Sequence, residues 1–503
     1  MTDSATSVVR SRIPARVDRL PWSPFHSRMV VALGTAWLLE GLEISIASSV
    51  ADALKGPDTL GLSAAAVGLI ATVYLIGEVV GALFFGDLAD RLGRRKLFII
   101  TLGVYLFGSG LTAFTFGNSA VWLIFMYLTR FIAGMGIGGE YSAIHSAIDE
   151  LTPAKYRGRV DIGVSGTYWG GAFIGTLAVA FLLSALPANL GWRLGFLLGP
   201  VLAIVIIFVR KNLPESPRWL VMHGRTEEAE ENITFIENEV QRRKGITLDE
   251  VDDSKALEIK PSVHRSYFAL AKVLFQQYPT RSILGASLMI SQSFLYNAIY
   301  FTAAIVLGTF FKVPTAQVPL YLAAFAIGNL VGPLVIGRHF DTIGRKKMIA
   351  GTYLLSGVLL AFSAVLFQAG VLNAITQTLI WVVIFFFASA GASAGYLTVS
   401  ELFPVEVRAQ AIAVFFAIAQ CFGAIGPVLY GALIGDGSDP SKLFIGYLIG
   451  AAVMIVGGLV EVFLGVDAEN KSLEDVATPL SAVRDAAGKI AGSVTPPRPE
   501  SAT

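Results

Sequence analysis

Two glutamates stand in a stretch that is otherwise apolar. In WLLEGLEISI, residues 37–46, Glu40 and Glu43 are three positions apart, which puts both on one face of a helix. A charge at the centre of a bilayer costs roughly 2.5–3.5 kcal/mol on insertion scales. It therefore needs a partner, a proton or a water-filled cavity. The other unambiguous mid-membrane charge is Arg130, inside a later apolar run; Glu78 and Glu140 are further acids in the runs, nearer their ends. Contact with an arginine favours the charged form of a carboxyl group, and separation from it in an apolar medium favours the neutral form. Two acids and one arginine in this setting can couple the carriage of a proton to conformation. The competing reading is a permanent structural ion pair.

The elements that must hold these groups are membrane helices. Of the 503 residues, 54% are hydrophobic and 15% charged, and the mean hydropathy is +0.65. An ordinary soluble domain is about a quarter charged. A hydrocarbon core is crossed by roughly 20 apolar residues in a helix. Such runs recur at about 29–51, 64–86, 97–116, 120–141, 160–185 and 193–210, and again at about 282–311, 317–337, 348–368, 375–399, 409–434 and 443–464. The predicted fold is an all-α integral membrane protein with twelve spans in two sets of six. Residues 1–28 form an N-terminal tail, 29–210 and 282–464 the two bundles, 211–281 a polar linker, and 465–503 a polar tail expected to be disordered. The first apolar run is too long for a signal peptide and is read as a retained span. Within the linker, Ile233, Ile236 and Val240 recur at helical spacing among charges. That pattern predicts an amphipathic helix, at a membrane–water boundary or packed on neighbouring loops. Cys421 is the sole cysteine, so no intramolecular disulfide can form, and its apolar surroundings suggest a small buried hydrophobe.

Basic residues cluster in the loops after the second, fourth and eighth runs, and the opposite loops are poor in them. The positive-inside rule places both termini and the linker in the cytoplasm. Two of the basic loops also repeat. GDLADRLGRR from Gly86 matches GRHFDTIGRK from Gly337, and ELTPAKYRGR from Glu150 matches ELFPVEVRAQ from Glu401. Both pairs are 251 positions apart. The chain is thus an internal duplication, and parallel repeats of this kind leave a solute site between them.

These residues carry a family resemblance. Six plus six helices, the G-x-x-x-D-x-x-G-R-[RK] loop in both halves and the long central loop resemble the major facilitator superfamily. PESPRWL (214–220), the E-L-x-P-x-x-x-R loops and NKSLEDV (470–476) resemble its sugar-porter branch. The resemblance covers about residues 25–476. It implies alternating access, with Asp90, Arg91, Arg94, Glu150 and Arg157 in one half, and Asp341, Arg345, Glu401 and Arg408 in the other, forming a cytoplasmic gating network. The plainer role for these charges is to anchor helix ends and set topology. The resemblance also places Glu43 at a proton-coupling acid and Arg130 at its arginine, with Glu40 additional as in aromatic-acid/proton symporters.

The second half has neutral polar groups where the first has charges. SQSFLYNAIYF is similar to a sugar-binding element, which puts Gln292 and Asn297 at solute positions, with Tyr296 and Tyr300 beside them and Asn329 in the next span. Other contacts of the pattern change. A glutamine becomes Ser165 and a tryptophan becomes Tyr396. Amides suit hydroxyl-rich solutes, whereas the additional Glu40, Arg130 and the altered contacts tilt the reading to a small organic acid. Arg130 is a candidate to attract a solute carboxylate, and Tyr168, Trp169, Tyr296, Tyr300 and Tyr396 suit a ring.

The expected function is a proton-coupled symporter of a small organic acid, or of a sugar or polyol, in a bacterial inner membrane, acting as a monomer with no cofactor, metal or nucleic-acid partner. The alternatives are a uniporter or exchanger with structural glutamates, and proton-driven efflux. An enzyme is not indicated: no nucleophile elbow, metal cluster or nucleotide loop is present in the sequence.

Overall fold

A computed structural model describes residues 9–210, 215–252, 257–259, 267–337, 339–403 and 408–466. The first set of long helices is α2 (Pro24–Val50), α3 (Ala64–Leu92), α4 (Arg94–Thr112), α5 (Ala120–Leu151), α6 (Ala154–Ala185) and α7 (Ala188–Arg210), preceded by the short α1 (Ile13–Asp18). Three helices follow on the polar side: α8 (Pro217–Met222), α9 (Thr226–Lys244) and α10 (Tyr267–Gln277). The second set begins with α11 (Pro279–Tyr300), α12 (Ala303–Thr309) and α13 (Val318–Ile336). It continues through α14 (His339–Thr342), α15 (Arg345–Gln368), α16 (Ala374–Glu401), α17 (Arg408–Gly423), α18 (Ile425–Ile434) and α19 (Pro440–Leu464).

Among the described residues, ten helical stretches are long and apolar enough to cross a bilayer, and two shorter apolar helices, Lys96–Thr112 and Ala188–Ile204, lie in α4 and α7. Each apolar run read from the sequence falls on one of these stretches. The helices outrun the apolar segments. α5 has 32 residues, about 48 Å at 1.5 Å per residue, against a hydrocarbon core of about 30 Å. Two runs are broken rather than continuous: helix α11 gives way to α12 at Phe301 and Thr302, and α17 gives way to α18 at Ala424. Apolar side chains face outward as well as inward, including Phe181 and Phe463 at 70% and 77% exposure, as a lipid-facing surface requires. Cys421 corrects the sequence reading. It is exposed rather than buried, because it shares this outer surface with Phe422.

The duplication is visible in the packing. A Cβ on Gly77 would lie 2.3 Å from the carbonyl oxygen of Phe131, and one on Gly81 would lie 2.1 Å from that of Met135. Shifted by 251 positions, Gly328 meets the carbonyl oxygen of Val382 at 3.0 Å and Gly332 meets that of Phe386 at 2.1 Å. Helices α3 and α5, and their equivalents α13 and α16, cross so closely that only glycine fits. Gly134 and Gly138 complete the first crossing from the α5 side.

The two helix sets meet at the end remote from the termini. Lys55 donates to Thr309 at 2.5 Å, Thr315 donates to Asp52 at 3.0 Å, and Thr72 donates to the carbonyl of Ala424 at 2.6 Å. A Cβ on Gly431 would lie 2.5 Å from the carbonyl oxygen of Ala64. This end is shut.

At the other end the linker folds onto the N-terminal arm. Strand β1 (Val9–Ser11) pairs antiparallel with β2 (Leu257–Ile259). Ile233, Ile236 and Val240 of α9 are buried, in clusters with Phe25, Met29, Trp219 and Leu220. Of the two placements left open by the sequence, the amphipathic face is therefore packed on the protein. Arg16 and Arg19 pair with Glu237, and Arg28 pairs with Glu239. Burial works against ionised Glu237, but hydrogen bonds from Arg16 and Arg19 outweigh it and hold its carboxyl below the usual range. Arg28, then Arg243, hold Glu239 down to about 2.

Candidate functional site

Glu40 and Glu43 both lie on α2, yet they enter different surroundings. Glu43 is fully buried and is ion-paired to Arg130 of α5 through Oε1. Ser109 Oγ donates to the same oxygen at 3.0 Å, and Tyr105 Oη donates to Oε2 at 2.7 Å. Ser109 also bonds the carbonyl of Phe196 on α7. The Arg130 guanidinium is 1% exposed and lies 4.5 Å from the Tyr74 ring centroid and 4.9 Å from that of Phe196. Removing one partner of a buried pair leaves an uncompensated charge, so the pair holds its four helices in register. Every one of these groups belongs to the first helix set.

This geometry corrects one expectation. Arg130 does not face open space where a solute carboxylate could dock: its charge is committed to Glu43 and two rings cover it. Tyr105 and Ser109, the other two partners of Glu43, were not singled out in the sequence. Their signal was available, since two hydroxyls four positions apart share a helix face.

Glu40 is half-buried and makes no hydrogen bond or ion pair among the described residues. It lies within electrostatic range of Glu78 on α3 and Glu140 on α5. Glu78 is 2% exposed. Its Oε2 accepts a 2.8 Å hydrogen bond from Gln420 Nε2 on α17, across the boundary between the sets. Gln420 Oε1 in turn accepts from Ser293 at 2.5 Å and Asn297 at 3.2 Å, both on α11. A chain of hydrogen bonds thus runs from Glu78 of the first set to the amides of the second.

A group of rings lies beside this chain. Trp169 of α6 sits 5.9 Å from Tyr296 and 6.1 Å from Tyr300, centroid to centroid. Tyr296 and Tyr300 continue into Phe385 and Phe325. Tyr168, stacked edge-on against Trp169 at 5.0 Å, is within electrostatic range of Glu40, Glu78, Tyr296 and Tyr300. Tyr296 donates to Asn329 Oδ1 at 2.6 Å, and the Asn329 amide nitrogen donates to the carbonyl of Phe325. Asn329 is fully buried with both ends of its amide engaged, so it fixes the Tyr296 ring. Gln292 is 2% exposed, and neither its Oε1 nor its Nε2 has a partner among the described residues; the Tyr300 hydroxyl has none either. Buried polar atoms of this kind are normally satisfied, so these carry unused donor and acceptor capacity.

The side chains of Ser165, Tyr396, Asp90, Arg91, Arg94, Glu150, Arg157, Asp341, Glu401 and Arg408 lie outside the described residues. Arg345 is half-buried in the first turn of α15.

The sequence model of the family described as "Sugar (and other) transporter" matches residues 32–479. The chain belongs to this family. It is a multi-pass membrane transporter of the major facilitator superfamily, and the family is one of transporters rather than enzymes. The niacin transporter NiaP of Acinetobacter baylyi is 25% identical over 465 residues, covering 92% of this chain and 99% of that protein. The arabinose-proton symporter of Bacillus subtilis is 26% identical over 470 residues, covering 88% and 93%. The crystal structure of a D-xylose-proton symporter superposes with a TM-score of 0.70 at 19% identity, over 89% of this chain and all of that one. That likeness speaks to the fold. These two relatives are named for different solutes, niacin and arabinose, so the solute of this chain must be argued from its own site.

Proposed function

We propose that the chain is a proton-coupled symporter of a small ring-bearing organic acid, working by alternating access between two six-helix halves. Residues 29–210 and 282–464 form the halves, making twelve spans with α4 and α7 counted among them. Residues 1–28, 211–281 and 465–503 lie on the cytoplasmic side of a bacterial inner membrane. One chain supplies the whole pathway, so a monomer suffices.

The observation that carries this reading is the run of rings joining the two halves, Trp169 to Tyr296 and Tyr300, beside Glu40 and Glu78. Aromatic faces offer a planar solute offset-stacked or edge-on contact, and Gln292 offers it a donor and an acceptor. A carboxylate entering next to Glu40 and Glu78 meets like charge, and a proton taken up on that group removes the repulsion. Anion and proton then cross together. Glu43, charge-balanced by Arg130, holds the arginine away from the acids. Glu40 and Glu78, the two neighbouring acids, share the proton. The relatives named for niacin and for arabinose with a proton support a solute of this size and a proton partner.

The unpartnered amide of Gln292 favours a second reading, a sugar or polyol, because an amide satisfies hydroxyls at both ends. Counterflow separates the two. Proteoliposomes loaded with unlabelled solute are given labelled niacin, L-arabinose or D-xylose. Niacin counterflow, reduced about tenfold in Trp169→Ala, is expected. Counterflow of a sugar without niacin sinks the organic-acid reading.

A further inference from the structure

The partners of Glu43, namely Tyr105, Ser109 and Arg130, and the Phe196 ring that covers Arg130 all lie in the first half. Rigid movement of one half against the other leaves that cluster intact. Glu78 is different. It is a buried carboxylate whose hydrogen-bond donor, Gln420, belongs to the opposite half, and it lies on the helix that seals the closed end through Thr72 and Ala64.

We propose that Glu78 is the residue at which proton binding is converted into relative movement of the two halves, with Gln420 as its positioning partner. The inference rests on the proton-coupled reading above.

The Gln420 amide has a fixed orientation. Its carbonyl oxygen takes two donors, Ser293 and Asn297, so its nitrogen faces Glu78 Oε2. A proton on Oε2 would set donor against donor. The atom that can take it without breaking the bond is Oε1, which has no hydrogen-bond partner among the described residues. The groups around Glu78 are Glu40 from α2, Arg130 from α5, Tyr168 from α6, Tyr74 from α3 itself and Gln420 from α17, with Glu140 of α5 within range of Glu40. A hydrogen bond to an ionised carboxylate is roughly twice as strong as one to a neutral acid. The Gln420 bond exists only while α3 and α17 are together. The closed end is therefore favoured when Glu78 is ionised, and a proton on Oε1 weakens the bond and favours opening. By linkage, the conformation with the stronger bond holds the proton less well. Gln420 also ties the switch to solute, since the Asn297 that donates to it lies one position from Tyr296 in the ring group.

The test reads opening directly, without a solute. In a Cys421→Ser background, Ala64→Cys places a thiol in the buried seam against α18. Leu62→Cys, just before α3, is a second reporter should the first fold poorly. Alkylation by an impermeant maleimide is measured in proteoliposomes from pH 5.5 to 8.5, with each rate divided by that of the unfolded protein at the same pH. The expected result is a normalised rate about fivefold higher at pH 5.5 than at pH 8.5, a flat profile in Glu78→Gln, and a flat, fast profile in Gln420→Ala. A Glu78→Gln profile that keeps the parent slope overturns the proposal. Transport supplies the second readout. Glu78→Gln is expected to lose gradient-driven niacin accumulation at least tenfold while retaining niacin counterflow; accumulation equal to the parent overturns the proposal. If the parent moves solute without protons, yet its pH-dependent alkylation disappears in Glu78→Gln, the symport reading fails and the switch stands.

Discussion

Arg130→Met removes a guanidinium that is 1% exposed and leaves the Glu43 carboxylate, itself fully buried, with only Ser109 and Tyr105 as partners. Breaking a buried ion pair from one side costs about 3–5 kcal/mol, because the remaining charge is stranded. The hydrogen bonds to Ser109 and Tyr105 remain, so the lower end of that range, about 3 kcal/mol, is expected. In Glu43→Gln/Arg130→Met no charge is left at the site, and the double variant should be more stable than Arg130→Met alone. The two substitutions should couple by about 2 kcal/mol or more, whereas independent sites agree with additivity to within about 0.5 kcal/mol. The assay is a double-mutant cycle by reversible unfolding in detergent, with the four proteins compared at one pH and salt. Additive effects would refute the reasoning, since they would mean that Glu43 and Arg130 do not share one buried site.

Three further outcomes follow from the packing and the charges. Gly81→Leu should abolish folded protein, because a Cβ there would lie 2.1 Å from the Met135 carbonyl oxygen, whereas Gly103→Leu should be tolerated, since nothing lies within 4 Å of a Cβ there; size-exclusion profiles of the two variants check this. Lys55→Met removes the bond to Thr309 across the closed end, and should raise maleimide labelling of Ala64→Cys severalfold at every pH. The N-terminal arm should come loose in acid. Glu239 is held down to about 2 and Glu237 is also lowered, so their contribution is complete above the unfolded carboxylate value of about 4.3 and is lost as pH falls from there toward about 2. Pepsin cleavage within residues 13–28 should rise over that window, and a flat cleavage profile would contradict the arginine clamp.

The architecture was legible in the sequence because a membrane span is written in length and hydropathy, and a duplication in a constant offset. The Glu43–Arg130 pair was legible for the same reason: two unlike charges in apolar runs must find each other. The direction each side chain takes was not legible. Spacing puts Glu40 and Glu43 on one helix face, yet a difference of three positions is enough to send Glu43 into the bundle core and Glu40 toward Glu78. Nothing in the sequence marked Gln420 beyond its neutral polar side chain, because a contact across the halves leaves no local pattern. Cys421 was misread because an apolar helix in a bilayer has two apolar sides, and hydropathy does not say which one meets lipid. Asn329 read as a solute contact, and its place between Tyr296 and Phe325 follows only from the packing of α13 against its neighbours.

The most direct measurement is proton entry into proteoliposomes with an alkaline interior when niacin is added, read with an internal pH dye, beside protein-free vesicles that report passive leak of the acid. The account predicts acidification above the protein-free level, and its loss in Glu43→Gln, where Arg130 would face Glu40 and Glu78 unpaired and hold a fixed charge there. Entry of labelled niacin with no proton signal above the leak would contradict it, and would make the protein a uniporter or exchanger with structural glutamates.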